Sequence, residues 1–353
     1  MRQDPNTLLR RHLPVRNGST YVIAEIGMNH NGSLTRAIDL IGEAADAGAD
    51  AAKFQNWVTE DFISDRGQVY TYKSQGGEVT EAFYDLCKRN ELQRSWLPEL
   101  VAACRSHKVD FLSTPTTPAG VDDLINLGVR VLKNGSDYLS NTPLISYMAR
   151  SAPVVILSTG MAWEKDVDYA VKTVAATGYE CVPVLLHCTS IYPTPVDQTN
   201  LNRMLALAER YKLPVGYSDH TEGHIAAVQA VTMGACVLEK HFTLRHDDAG
   251  PDHWFSVTPH ELREYVNAVR DAEQRLGSAE IAPAEDELKI AAEQRLSAVA
   301  AVPLLAGAML SVEAVTFKKP GTGIHPAEIE AYFGRRLGRS VDVNEVLVPE
   351  MFV

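Results

Sequence analysis

Cysteine, positive charge and long hydrophobic runs are all scarce in this sequence, and each shortage narrows what the protein can be. Only five cysteines, Cys87, Cys104, Cys181, Cys188 and Cys236, occur in 353 residues. The number is odd, no C-x-x-C occurs, and most lie inside apolar runs, so they read as buried reduced thiols of a cytosolic chain rather than a disulfide framework. The formal net charge is -12, with no basic stripe of the kind that sequence-independent nucleic-acid binding needs. An acidic chain that takes an anionic ligand must gather its few Lys and Arg locally. The longest near-apolar stretch, 298–310, is too short to span a bilayer and is broken by Pro303 and Gly307. The first twenty residues carry Arg2, Asp4, Arg10, Arg11 and Arg16 without an apolar core, so no signal peptide is expected. What remains, at 45% apolar and 22% charged, is an ordinary globular composition, which sets aside disordered, collagen-like and low-complexity classes. The expectation is a cytoplasmic protein that engages neither nucleic acid nor membrane.

Eight short runs rich in Val, Ile, Leu and Ala recur at 21–27, 51–55, 109–115, 129–136, 153–160, 182–190, 213–220 and 235–243. Several are continuously apolar rather than alternating, as parallel strands covered on both faces are. Helical spacing fills the gaps at 34–47, 117–127, 142–150, 165–177, 201–211, 223–232 and 259–276, and Gly48, Gly128, Gly178 and Gly234 follow helices as helix-ending glycines do. The alternation predicts a (β/α)8 barrel over 21–276, after an extension at 1–20. The beat fails once. Residues 56–108 read as a polar loop at 72–77 followed by helices at 80–89 and 95–107, a candidate lid on the catalytic face. After residue 276 come a linker at 277–292 and a small β-rich module at 293–353.

The strand ends are polar where a barrel interior should be apolar. They read Ala24-Glu25-Ile26-Gly27, Lys53-Phe54-Gln55, Ser113-Thr114-Pro115, Lys133-Asn134-Gly135-Ser136, Ser158-Thr159-Gly160, His187-Cys188-Thr189-Ser190, Ser218-Asp219-His220 and Glu239-Lys240-His241. In a barrel these ends meet at one mouth. Alternation puts Lys53 with Gln55, Ser218 with His220, and Glu239 with His241 on shared faces. One polar strand end is unremarkable, whereas eight together are costly unless they hold a ligand, a metal or each other. His220 and His241 end neighbouring strands, and two neutral imidazoles suit a borderline divalent ion such as Mn²⁺, Zn²⁺ or Co²⁺. His30, His187, His246 and His253 compete for that role. Lys53 and Lys133, with Thr114, Ser136, Ser158 and Ser218, suit a small ligand bearing phosphate and carboxylate. Glu25 is the acid best placed for proton transfer or for holding a hydroxyl.

These motifs resemble the sialic acid synthase family. The resemblance rests on residues 24–32 and 48–55, Ile156-Leu157-Ser158-Thr159-Gly160-Met161, Leu186-His187-Cys188-Thr189 with Tyr192-Pro193-Thr194-Pro195, Gly216-Tyr217-Ser218-Asp219-His220, Glu239-Lys240-His241-Phe242-Thr243, Gly250-Pro251-Asp252 and Lys319-Pro320-Gly321-Thr322-Gly323-Ile324. It covers nearly the whole chain from Thr20. The family condenses phosphoenolpyruvate with an N-acylated hexosamine. The resemblance implies a barrel followed by an antifreeze-like (SAF) module in a domain-swapped homodimer. By the same carry-over, His220 and His241 hold a divalent metal, Mn²⁺ first with Mg²⁺ or Co²⁺ as alternatives. Lys53, Thr114, Lys133, Ser136, Ser158, Ser190 and Ser218 cradle phosphoenolpyruvate, Gln55, Tyr192 and Asp252 touch the sugar, and Glu25 is the acid/base group.

Two positions depart from the family pattern. Gly and an acid commonly follow the serine of the fourth strand, where this chain has Asp137-Tyr138, so the sugar-contacting acid is either displaced to Asp137 or missing. Lys319 stands where the module usually offers an Arg, keeping the charge without the planar fork. Both bear on the choice of sugar, for which N-acetylmannosamine, its 6-phosphate and the 6-deoxy diacetamido hexoses of legionaminic- and pseudaminic-type synthases stay open. Rival readings are a Schiff-base aldolase using Lys133 or Lys53, and a carbohydrate- or ice-binding protein.

Overall fold

A strand made of successive Val, Ile, Leu and Ala is apolar on both faces and needs cover on both. The computed structural model, which describes residues 5–13 and 20–353, supplies that cover with helices outside and packed side chains inside. In chain order the strands are β1 (Tyr21–Gly27), β2 (Ala51–Asn56), β3 (Val69–Ser74), β4 (Gly77–Ala82), β5 (Asp110–Pro115), β6 (Val131–Asn134), β7 (Val154–Ser158), β8 (Val182–Cys188), β9 (Val215–Asp219) and β10 (Val237–His241). Eight of them form one parallel sheet in the order β5-β2-β1-β10-β9-β8-β7-β6, and its end strands β5 and β6 lie against each other, giving the (β/α)8 barrel. The strands are shorter than the apolar runs; β6, for example, stops at Asn134 because Ser136–Tyr138 turn into a 3₁₀ helix.

The helices start where the sequence offers caps. Ser33 accepts from Arg36 N, Thr117 from Gly120 N and Asn141 from Leu144 N, and Thr258 with Glu261 builds a capping box ahead of Pro259–Leu276. Gly48, Gly128, Gly178 and Gly234 all take positive φ just beyond their helices.

Alternation divides each barrel strand. Outward residues such as Val22, Ala24, Phe54, Val155, Leu157 and Leu238 pack on the helices. Inward residues Tyr21, Ile23, Val131, Val154, Ile156 and Val237 fill the barrel floor. The N-terminal extension contains a helix, Pro5–His12, and Leu9 and Leu13 belong to that same floor cluster. The rest of the expected 1–20 extension, residues 1–4 and 14–19, lies outside the described residues. Leu13 is 2% exposed, so Leu13→Ala should destabilise the barrel by about 2–5 kcal/mol, read as a lower urea midpoint at unchanged slope.

Two expectations need correcting. Residues 69–82 are an antiparallel hairpin, β3 paired with β4, and the helix that was expected from 80 is Phe83–Arg89. Gln75 and Gly76 both take positive φ (51° and 77°), the conformation of a two-residue hairpin turn. The linker at 277–292 is also partly helical, over Glu287–Gln294.

The chain divides at Gly277/Ser278 into two compact units. The second is a small β-rich unit in which β11 (Ser297–Ala300) pairs antiparallel with β12 (Val315–Lys318). Isolated bridges join Val299 to Val346, Leu304 to Val341 and Leu337 to Phe352, around a core that includes Ala298, Leu310, Ile324 and Leu347. No helix among the described residues is long and apolar enough to cross a membrane.

Candidate active site

Followed upward from the floor, the inward column of each strand changes from apolar to polar. On β1 Tyr21 and Ile23 give way to Glu25, on β2 Ala51 gives way to Lys53 and Gln55, and on β6 Val131 gives way to Lys133. Val154 and Ile156 lead to Ser158, Val184 and Leu186 to Cys188, and Val237 to Glu239 and His241. These tips line a cavity of about 960 Å³. Glu25, Lys53, Gln55, Thr114, Lys133, Ser136, Ser158, Ser190, Tyr192, Ser218, His220, His241 and Asp252 all reach it. Lys319 lies in the second unit, where its ammonium donates to Gln294 Oε1 at 2.5 Å.

At the base of the cavity is a buried charge array. Lys53 Nζ lies 2.5 Å from Glu25 Oε2 and 3.6 Å from Glu239 Oε2, and donates to Thr114 Oγ1 at 3.3 Å. Lys133 Nζ donates to Ser158 Oγ at 2.6 Å and lies 3.8 Å from Glu239 Oε1, which also accepts from Ser218 at 3.0 Å. Gln55 donates to Glu25 Oε1 at 2.7 Å. Burial, with the Glu239 charge, pushes the Glu25 carboxyl above its ordinary value against the pull of Lys53. Burial also opposes the Glu239 charge, but Lys133 and Lys53 outweigh it and hold that carboxylate ionised. Burial lowers the Lys133 ammonium; for Lys53 the same burial is overcome by its two glutamates, and its value rises. Glu239 was visible in the sequence only as a face-mate of His241; it is the acid that ties the two lysines together.

Beside this array, Gly160 N donates to Ser136 Oγ at 3.0 Å, and Ser136 Oγ sits 3.2 Å from Cys188 Sγ. A Cβ on Gly160 would lie 2.3 Å from Ser190 Oγ and 2.7 Å from Ser136 Oγ, so only glycine leaves these hydroxyls their places. Three of the hydroxyl donors, Ser136, Ser158 and Ser190, thus flank Lys133 or the Gly160 amide.

The imidazoles of His220 and His241 lie with ring centroids 5.4 Å apart. His220 Nδ1 donates to Thr189 O at 2.8 Å, which leaves its lone pair on Nε2, 3.3 Å from Ser218 Oγ. His241 Nδ1 has no hydrogen-bond partner and lies 3.9 Å from Asp252 Oδ2. Burial lowers both imidazoles, His241 further through the neighbouring His220, so both are neutral and able to ligate. The Tyr192 ring lies tilted against them, its centroid 4.1 Å from that of His220. Burial and Glu25 raise Asp252 to about 7. Among the described residues no group of three or more His, Cys, Asp or Glu that could hold a metal ion is found. The competing histidines lie elsewhere. His30 packs between Phe54 and Trp96, His187 bonds Thr199 O, His253 bonds Thr243 and Asn31, and His246 faces Glu261.

The outer wall is aromatic. Trp57, Phe62, Tyr70, Tyr72, Trp254 and Phe255 line it, and Lys73 Nζ lies 4.6 Å over the Trp254 ring. The hairpin is tied to the rim by Gly250 N donating to Ser74 Oγ at 3.1 Å. Asp137, the displaced acid considered above, also lines the cavity. These loop residues carry no periodicity, and only the unusual length of the 56–108 insertion pointed toward some of them.

Comparison with known proteins agrees with the geometry. A profile described as the NeuB family matches residues 40–281. The N,N'-diacetyllegionaminic acid synthase of Legionella pneumophila is 38% identical over 333 residues, covering 94% of each chain, and that of Campylobacter jejuni is 35% identical over 329 residues, covering 93% of this chain and 98% of its own. Among solved structures, the N-acetylneuraminic acid synthetase from Leptospira borgpetersenii in complex with citrate superposes with a TM-score of 0.69 at 31% identity, over 78% of this chain and 90% of that one. The chain therefore belongs to the NeuB family, the sialic acid synthase family that its strand-end motifs resemble.

Proposed function

We propose that this protein is a nonulosonic acid synthase that condenses phosphoenolpyruvate with an unphosphorylated N-acyl hexosamine and releases phosphate. The observation that carries the reading is the change along the inward columns, from an apolar floor to two lysines, two glutamates and two neutral imidazoles in one cavity. Phosphoenolpyruvate needs cations and hydroxyls for both its anionic groups; Lys53, Lys133, Thr114, Ser136, Ser158, Ser190 and Ser218 supply them. The reaction joins C3 of phosphoenolpyruvate to the sugar aldehyde carbon, adds water at C2 and expels phosphate by C–O cleavage. Glu25, held close to Lys53 and raised by burial, is the group suited to move a proton near those carbons. Lys53 and Lys133 keep the anionic donor bound while charge redistributes.

The lone-pair chemistry of two neutral imidazoles fits a divalent ion, Mn²⁺ foremost, which His220 and His241 would hold. Such an ion supplies Lewis-acid polarisation of the aldehyde oxygen. Gln55, Tyr192 and Asp252 line the same cavity and are the residues assigned to the acceptor. Besides Lys53 and Lys133, the only lysine or arginine lining the cavity among the described residues is Lys73, seated on Trp254, so the wall suits acyl and deoxy groups better than a second phosphate. The names of the Legionella and Campylobacter relatives, diacetyllegionaminic acid synthases, support an N-acylated acceptor. The resemblance of Lys319-Pro320-Gly321 supports reading the second unit as an antifreeze-like module of a homodimer.

The test is phosphate release from phosphoenolpyruvate across N-acetylmannosamine, its 6-phosphate and 6-deoxy diacetamido hexoses, with mass spectrometry of the product. Chelation should abolish activity and Mn²⁺ restore it. His220→Ala and His241→Ala should each lose bound Mn²⁺ and about a thousandfold in turnover, roughly 4 kcal/mol of transition-state stabilisation. Preference for the 6-phosphate would overturn the acceptor assignment, and chelator-resistant turnover would overturn the metal. Borohydride with pyruvate should leave no adduct; a trapped Lys133 would establish the Schiff-base rival instead.

A further inference from the structure

Two charged residues that face away from the cavity carry this inference. On β9 and β10, Tyr217 is opposite Leu238, Ser218 opposite Glu239, and Asp219 opposite Lys240. His220 and His241 are the next residue along each strand. Alternation turns Ser218, His220, Glu239 and His241 inward and Asp219 and Lys240 outward, beneath the helices. The outward residues in register with Lys240 across β1 and β2 are Ala24 and Ala52, both fully buried and apolar, so packing there does not require charge.

The outward pair is sealed and specifically bonded. Lys240 Nζ lies 3.2 Å from Asp219 Oδ2, with side-chain exposures of 3% and 0%. The same ammonium donates to Thr221 O at 2.5 Å. Asp219 Oδ1 accepts from Thr221 N at 2.8 Å and from Thr221 Oγ1 at 2.7 Å. Lys240 therefore grips the chain on both sides of His220, from the residue that precedes His241. Outside the strand ladders, in which His241 pairs with Glu25 of β1, the two histidine carbonyls accept from loops: Thr194 N donates to His220 O, and Val257 N donates to His241 O.

We propose that Asp219 and Lys240 are positioning residues for the two imidazoles: their buried ion pair fixes the registry of the β9 and β10 tips, and so the separation at which His220 and His241 present themselves to a divalent cation. This rests on the two-imidazole reading above. Asp219 follows Ser218 in sequence, but the side-chain bonds of the pair run to each other and to Thr221 rather than to the side chains assigned to phosphoenolpyruvate, so cation and donor binding should respond differently when it is removed.

The test uses the full-length protein and two variants. The double variant Asp219→Asn/Lys240→Met keeps the oxygen that caps Thr221 and the unbranched stem of the lysine, and leaves no unpaired buried charge. Asp219→Glu keeps the charge but lengthens the arm, and serves if the double variant does not fold. Mn²⁺ binding is measured by titration followed by electron paramagnetic resonance, and phosphoenolpyruvate binding by equilibrium dialysis without metal. The expected result is Mn²⁺ affinity weaker by about 10- to 100-fold, the usual effect of losing a group that orients a ligating histidine, with phosphoenolpyruvate affinity unchanged. A folded variant with parental Mn²⁺ affinity overturns the proposal alone. Equal loss of both ligands overturns it too, since that marks general distortion. A parent that binds no stoichiometric Mn²⁺ overturns the two-imidazole reading, and the proposal with it.

Discussion

Replacing Lys53 by Met should lower phosphate release by about 10²- to 10³-fold and destabilise the fold by about 3–5 kcal/mol. The lysine is 2% exposed and faces Glu25 Oε2 at 2.5 Å and Glu239 Oε2 at 3.6 Å. Methionine fills the volume but leaves two carboxylates buried together with one remaining ammonium, Lys133. The loss on the stability side should depend on pH with a definite sign. Burial already raises Glu25 above its ordinary value, and without Lys53 the rise is larger. A carboxyl raised in the folded state penalises folding in full above its folded value, and not at all below its unfolded one. The deficit of the variant should therefore be larger at neutral pH and shrink as pH falls toward the ordinary carboxylate range. Urea unfolding at neutral and mildly acidic pH measures this directly. An unchanged midpoint at neutral pH would mean that the glutamates do not depend on Lys53.

Gly160→Ala should do the opposite, sparing the fold and removing the donor. The added methyl would fall 2.3 Å from Ser190 Oγ, 2.7 Å from Ser136 Oγ and 2.9 Å from Cys188 Sγ. Each of these atoms ends a short side chain that can rotate away, so the unfolding temperature should move little. Once rotated, the serines no longer converge beside the Gly160 amide. Losing two hydrogen bonds to an anion at roughly 1.5 kcal/mol each gives about 3 kcal/mol, or about a hundredfold weaker phosphoenolpyruvate binding. Equilibrium dialysis alongside calorimetry separates the two effects. Parental phosphoenolpyruvate affinity would remove Ser136 and Ser190 from the donor site.

The barrel was legible because its strands are continuous apolar runs whose cover can only come from both sides, and because helix-ending glycines mark the beat between them. The hairpin was not. In Val69–Ala82 the alternation is between polar and aromatic residues on an exposed ribbon, with no apolar face to set a period, and the signal lay instead in Gln75-Gly76. The columns that reach the cavity followed from alternation alone. Alternation states a face but not a neighbour, so it placed Glu239 beside His241 without revealing that the acid lies between Lys53 and Lys133, about 190 and 110 residues away in sequence. The outward Asp219 and Lys240 were likewise written into their motifs, yet only the ladder between β9 and β10 brings them opposite each other. Trp254, Phe255 and Asp137 stand on irregular loops, where spacing carries no message.

The floor of the barrel, closed by Leu9 and Leu13 together with the lowest ring of inward side chains, makes the cavity a cul-de-sac. Among the described residues, access is from the strand tips above. A molecule seated against Lys53 and Lys133 must pass the aromatic rim on its way in, and anything already lodged at Trp254 and Tyr192 stands in its path. An outer guest would bar the way to the deeper seat, so a plug beneath the sheet bears on the order of arrivals above it.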